Sequence, residues 1–186
     1  IEVDSLSVDA HYGPISPITD FKINGLTLNG DSVAVVIPLA AESVIPEAAV
    51  YRKYNDTNGW FTFVEDEGNS VGSAPKDSAG NCPVPGSSDY LLEDGETANG
   101  LVEGNECIQL LISDGGPIDA DAMANGVIVD PGVAVVELPN TLPEIIVSNA
   151  AANSGEQVTL TASATDAEGD DVTFTWSQVS GASVTL

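Results

Sequence analysis

The chain has 186 residues, 42% of them hydrophobic, which is enough to build a core and too many for disorder throughout. Asp and Glu number 29 against 4 Lys and Arg, a formal net charge of −25. Such a surface repels DNA, RNA and anionic headgroups, which are bound through Lys and Arg, and this argues against nucleic-acid and membrane-surface partners. Most carboxylates then lack a protein counter-ion, and either sit apart in water or are neutralised by bound metal. The length suits one large β-domain, or one domain plus part of another. No segment approaches the roughly 20 apolar residues of a membrane span. The start at Ile1, without an initiator Met or a leader, reads as a mature or excised piece of something longer.

Residues 1–30 alternate weakly, through Ile1, Val3, Leu6 and Val8 and then Phe21, Ile23, Leu26 and Leu28. Asn24-Gly25 and Asn29-Gly30 are turn signals, so short strands are expected. His11 and Tyr12 read as strand or loop surface. Ser32 to Leu39 is a β-branched run bounded by Pro38, expected as a buried strand. Ala49 to Tyr54, a polar turn ending at Gly59, and Trp60 to Val64 form the pattern of a β-hairpin. Arg52 and Lys53 on that hairpin are expected to pair with carboxylates such as Glu65 or Asp66, or to point into water. Residues 65–100 are rich in Gly, Ser, Asp and Pro, and read as one long irregular loop anchored by Cys82.

Glu106 to Ser113 is the next expected strand. It runs into a carboxylate-rich loop in which Asp114, Asp119, Asp121, Asn125 and Asp130 alternate with Gly115, Gly116, Pro117, Gly126 and Gly132. Val127 to Val129 and Val133 to Leu138 are expected as two strands around a turn at Asp130-Pro-Gly132. Pro139 to Pro143 is a linker, with two prolines in five residues. Beyond it, Glu144 to Ser148, Glu156 to Ala164 and Asp171 to Gln178 alternate at immunoglobulin-like spacing, with Trp176 where such sandwiches keep a core tryptophan. Ala120 to Ala124 contains helix formers, but Gly126 stops any helix within about a turn.

Two readings of Cys82 and Cys107 are open: a disulfide closing the Gly/Ser/Asp-rich loop, or two buried thiols. The lysine-poor, Thr/Ser/Gly-rich composition of an exported chain favours the disulfide, which for such a loop contributes about 3 kcal/mol. Zinc has no support, because the cysteines are far apart and His11 is the only histidine.

The acidic loop also admits two readings. Ca²⁺ takes six to eight oxygens from carboxylates, amides and carbonyls, and the set Asp114, Asp119, Asp121, Asn125 and Asp130 offers them without a competing cation. Alternatively the carboxylates cap backbone N–H groups in Asx-turns. The EF-hand pattern is excluded, because Met123 and Ala124 stand where an oxygen ligand and the turn glycine belong. Asp166, Glu168, Asp170 and Asp171 form a second, weaker candidate that reads more readily as a solvated turn. Catalysis has no sequence support: His11 lacks a neighbouring nucleophile motif, and no phosphate-cradling glycine loop precedes a helix.

Two stretches resemble known families. Val50-Tyr-Arg-Lys-Tyr through Gly59-Trp-Phe-Thr-Phe-Val-Glu-Asp66, the cysteine pair, and Asp114-Gly-Gly-Pro-Ile-Asp-Ala-Asp-Ala-Met-Ala-Asn-Gly126 with Asp130-Pro-Gly132 resemble the choice-of-anchor domain, type U, over roughly residues 30–137. The chain departs from that family at Ala122, where a glycine is common, and at Gly132, where two glycines often stand. Ser154 to Gly181 resembles PKD-like or cadherin-like immunoglobulin-fold repeats, and 144–186 would be the N-terminal half of one. Such a half exposes strand edges, so missing strands would come from a continuing chain, from the first domain or from another molecule.

The expected fold is therefore all-β: a β-sandwich over 1–138 with long irregular loops, a linker at 139–143, and a partial Ig-like sandwich over 144–186. The resemblances imply an exported, bacterial cell-surface protein; together with the acidic loop and the absence of catalytic motifs, the reading is a calcium-stabilised structural or adhesive role and no enzyme activity. It would act as a stalk or a strand-donating filament subunit, with other surface-protein domains or copies of itself as partners. Alternatives are calcium-dependent binding of a glycan or peptide, or a noncatalytic appendage of a secreted hydrolase.

Overall fold

The computed structural model describes residues 10–66, 68–90 and 100–185. These contain ten strands and no helix, so the fold is all-β. The chain divides into two compact units, Ile1–Leu138 and Pro139–Leu186. The alternation expected over residues 1–9 lies outside the described residues.

The first unit is organised by its longest strand. Two short strands, β1 (Tyr12–Pro14) and β2 (Thr19–Asn24), line one edge of β8 (Val127–Glu137), and β4 (Val50–Asn55) lines the other. β5 (Gly59–Thr62) completes this sheet by pairing with β4. β1 and β2 are interrupted where residues 15–18 face only Val133 and Ala134, and Ser16 fills the gap by accepting the Ala134 N–H through Oγ at 3.1 Å. A second sheet has the order β3 (Ser32–Pro38), β7 (Cys107–Ser113), β6 (Ser70–Ala74), all antiparallel.

The expected hairpin forms as β4 and β5. Its turn is held by Asn55, whose Oδ1 accepts the N–H groups of Thr57 and Asn58, and Tyr54 meets Trp60 edge-on across the strands. Side chains from both sheets enter one core. Tyr51, Ile128 and Ala134 come from the first, and Ile37, Val71, Ile108, Leu110 and Ile112 from the second. The alternation of Ile108, Leu110 and Ile112 leaves Cys107 and Gln109 on the opposite face of β7, and the 75–90 loop covers that face. Cys107 is bonded to Cys82, Gln109 accepts the Gly86 N–H at 2.6 Å, and Tyr90 packs on Ala74 and Cys107.

Three expectations for this unit are corrected. Residues 65–100 are not wholly irregular, since β6 lies within them; its Ser-Val-Gly-Ser-Ala sequence carries almost no apolar pattern and owes its strand to the ladder with β7. Asp130-Pro-Gly132 is not a turn, and 127–137 is one continuous strand. β2 pairs with 127–132 on one side and β4 with 132–135 on the other, so the ladder overrides the turn propensity. Arg52 and Lys53 are buried rather than pointing into water, and the Lys53 ion pair is with Asp130.

In the second unit, β9 (Glu144–Val147) pairs with β10 (Ala162–Thr165), and Ser148 and Thr161 extend the pairing. Strands expected over 156–164 and 171–178 reduce to 162–165. A strand needs a hydrogen-bonded neighbour, and residues 156–160 and 171–178 pair with no strand among those described. Trp176, expected in a core, is 44% exposed. The 139–143 segment is tied into this unit, because the Glu168 carboxylate accepts from both the N–H and the hydroxyl of Thr141.

Candidate functional site

The acidic loop is ordered by its own carboxylates. Asp114 follows β7, and its carboxylate accepts four backbone N–H groups: Gly30 and Gly126 at 2.9 Å, Asn125 and Val127 at 3.2 Å. Burial by itself would raise the pKa of Asp114, but the four donors hold it below the usual carboxylate range. Asp119 accepts the N–H of Gly115 at 2.9 Å and of Val129 at 3.0 Å. Its pKa is raised, first by burial and then by the nearby Asp121, against those two donors. Asp121 accepts from Met123 N–H and from the Asn125 amide, and Asn125 Oδ1 accepts the Val127 N–H. Gly115 is required at its position: its φ is +72°, and an added Cβ would lie 2.4 Å from the Ala124 nitrogen.

The structure thus gathers Asp114, Asp119, Asp121 and Asn125 in one loop, but turns them onto backbone and amide donors. Asp130 is separated from that set. It points from β8 into the interior of the first unit, with no exposed surface. In this arrangement the side-chain oxygens of Asp114, Asp119, Asp121 and Asn125 accept hydrogen bonds within and around the loop, and Asp130 is not beside them. Among the described residues no group of three or more His, Cys, Asp or Glu side chains is arranged to hold a metal. The second cluster behaves likewise: Asp166 accepts the N–H groups of Glu168 and Asp170, Asp170 accepts from Asn140, and Asp171 is exposed.

What sequence reasoning missed lies beside the loop. Lys53 and Asp130 form an ion pair in which both side chains are 0% exposed. Lys53 pairs in register with Gly132, so Asp130, two residues earlier on β8, presents its side chain to the same face. Apart from each other, neither the Lys53 Nζ nor either Asp130 oxygen has a hydrogen-bond partner among the described residues. Burial lowers the Lys53 pKa to about 7, against the opposing pull of Asp119 and Asp20. Tyr51, two residues before Lys53 on the same face, is also buried; burial pushes its phenol up, while Oγ1 of Thr19 lies 3.2 Å from its hydroxyl. Arg52 faces the other side, stacked on Tyr12 at 4.5 Å and donating to Thr62 and to the Trp60 carbonyl.

A signal for Lys53 was present. It shares strand parity with the core residue Tyr51, as Asp130 does with Ile128 and Ala134. A lysine and an aspartate on two inward faces mark a buried pair. Compared with family models, curated proteins and solved structures, the chain matches none.

Proposed function

We propose that this chain is an extracellular structural or adhesive module of a bacterial cell surface, a spacer that keeps its shape under load. The observation that carries the reading is the Cys82–Cys107 disulfide, which fixes the long 75–90 loop to the central strand of the second sheet. Such crosslinks form and persist in oxidising compartments. The net charge of −25 supports the same reading, since it keeps a crowded surface protein soluble and off nucleic acid. Its partners in this reading are other surface domains or a second copy. The exposed Ile145, Ile146, Val147 and Trp176 of the second unit would be covered by them.

Brief proteolysis of intact producing cells, followed by mass spectrometry of the released peptides, tests the location. Release of peptides from this chain is the expected outcome. Detection only after lysis, in the soluble cytoplasmic fraction, would overturn the reading.

A further inference from the structure

We propose that Lys53 and Asp130 become joined by an intramolecular isopeptide bond, which the folded first unit forms on its own. The inference does not depend on where the protein resides or what it binds.

The geometry places the two reacting groups together and little else with them. The Lys53 Nζ contacts Oδ1 of Asp130, both side chains are fully buried, and their polar atoms have no other hydrogen-bond partner among the described residues. Left ionic, this is an unfavourable arrangement, because two desolvated charges lack the additional hydrogen bonds that a buried pair needs. Transfer of one ammonium proton from the Lys53 Nζ to the Asp130 carboxylate yields a neutral amine beside a neutral carboxylic acid, and burial favours that form. The lowered Lys53 pKa is consistent with it.

From that form the chemistry is direct. The lone pair of the neutral Nζ attacks Cγ of the protonated Asp130 carboxyl, giving a tetrahedral carbon. One oxygen then departs as water, the C–O bond breaking as the N–C bond is retained. In balance, one primary amine and one carboxylic acid become one secondary amide and one water, and no oxidant, metal or nucleotide is consumed. Holding both groups on adjacent strands replaces a bimolecular encounter, for which effective molarities of about 10⁵ to 10⁸ M are attainable. Exclusion of water from the site opposes hydrolysis of the product.

A third carboxyl, that of Asp119, is assigned the proton transfer. Asp119 is 2% exposed and lies near enough to act on the Lys53 charge. Each of its oxygens accepts one backbone N–H, and a carboxylate oxygen has a further lone pair to offer. In this assignment Asp119 takes the proton released from Nζ and returns it to the departing hydroxyl.

The test is the intact mass of the purified 186-residue chain after reduction of its disulfide, with peptide mapping by tandem mass spectrometry. The expected result is a mass one water below that of the sequence, and a branched peptide joining Lys53 to Asp130. Lys53→Met and Asp130→Ala are each expected to restore the full mass. A wild-type protein at full mass would overturn the proposal. So would a water deficit that persists in Lys53→Met, since that places the loss elsewhere, for instance in cyclisation at Asp114–Gly115. Asp119→Asn, checked for native circular dichroism and an intact disulfide, is expected to stay at full mass or to link more slowly. Linking at the wild-type rate would remove Asp119 from the assignment and leave the bond in place. The wild-type branched peptide decides the main question even if every variant fails to fold.

Discussion

Tyr51 occupies the space that a side chain at position 132 would need. A Cβ added to Gly132 would lie 2.6 Å from Cε1 of Tyr51 and 2.8 Å from its hydroxyl oxygen. Tyr51 pairs in register with Ala134, so its ring reaches along β8 past its own partner, over Gly132, toward Thr19. The glycine is there for close approach of a ring, on an extended strand, and not for a turn.

Gly132→Ala should therefore overpack the interior. We expect a loss of about 2 kcal/mol in urea unfolding, with an unchanged slope showing that the unfolded state is not what altered.

The disulfide has a sequence separation of 25 residues and closes a loop in which, among the described residues, Tyr90 packs beside Cys107 and Leu101 reaches the main core. Replacing Cys82 and Cys107 together by Ala should lower stability by about 3 kcal/mol on the chain-entropy account. Proteolysis within 75–90 should then become fast, while the β4–β8 region stays protected.

Asp114 supplies a pH signature. Its folded pKa lies below the ordinary value, so its contribution is fully present above the unfolded-state pKa and is lost as pH falls through the folded one. Asp114→Asn should melt at a lower temperature than the wild type at neutral pH. The gap should narrow as acid protonates the wild-type carboxyl. A gap independent of pH would show that the charge of Asp114 is not what its four donors stabilise.

Ala122 sits in the left-handed region with φ of 52°. For an L-residue this costs about 1 kcal/mol or more, partly offset by the extra unfolded-state freedom that a glycine would bring, about 0.4–1 kcal/mol. Ala122→Gly should leave the melting temperature equal or slightly raised. A clear fall would mean that the Ala methyl makes a contact worth more than the strain.

Calcium is tested by melting in excess calcium and again in EDTA. The oxygens of Asp114 and Asp119 already accept backbone N–H groups, so we expect equal midpoints. A rise of several degrees with calcium would show metal bound to the native state by mass action.

Much of the fold was legible where a residue's role is set by its near neighbours along the chain. The β4–β5 hairpin followed from aromatic residues flanking Asn55 to Gly59, and β7 from the run of Ile108, Leu110 and Ile112. The capping reading of the acidic loop needed only Asp and Gly at turn spacing. β6 was not legible, because Ser70 to Ala74 carries no period and becomes a strand only by filling the edge of β7. Nor was the continuity of β8, where Pro131 and Gly132 read locally as a turn.

Composition and local pattern were sufficient to determine the all-β class, the hairpin, the pairing of the only two cysteines as one of two options, and the acidity of the surface. Which carboxylate faces Lys53 was decided only when β4 and β8 came together. Residues 53 and 130 are far apart in the chain, and the energy of a buried charge depends on what surrounds it in space. For that reason a lysine expected at the surface stands in the interior against Asp130.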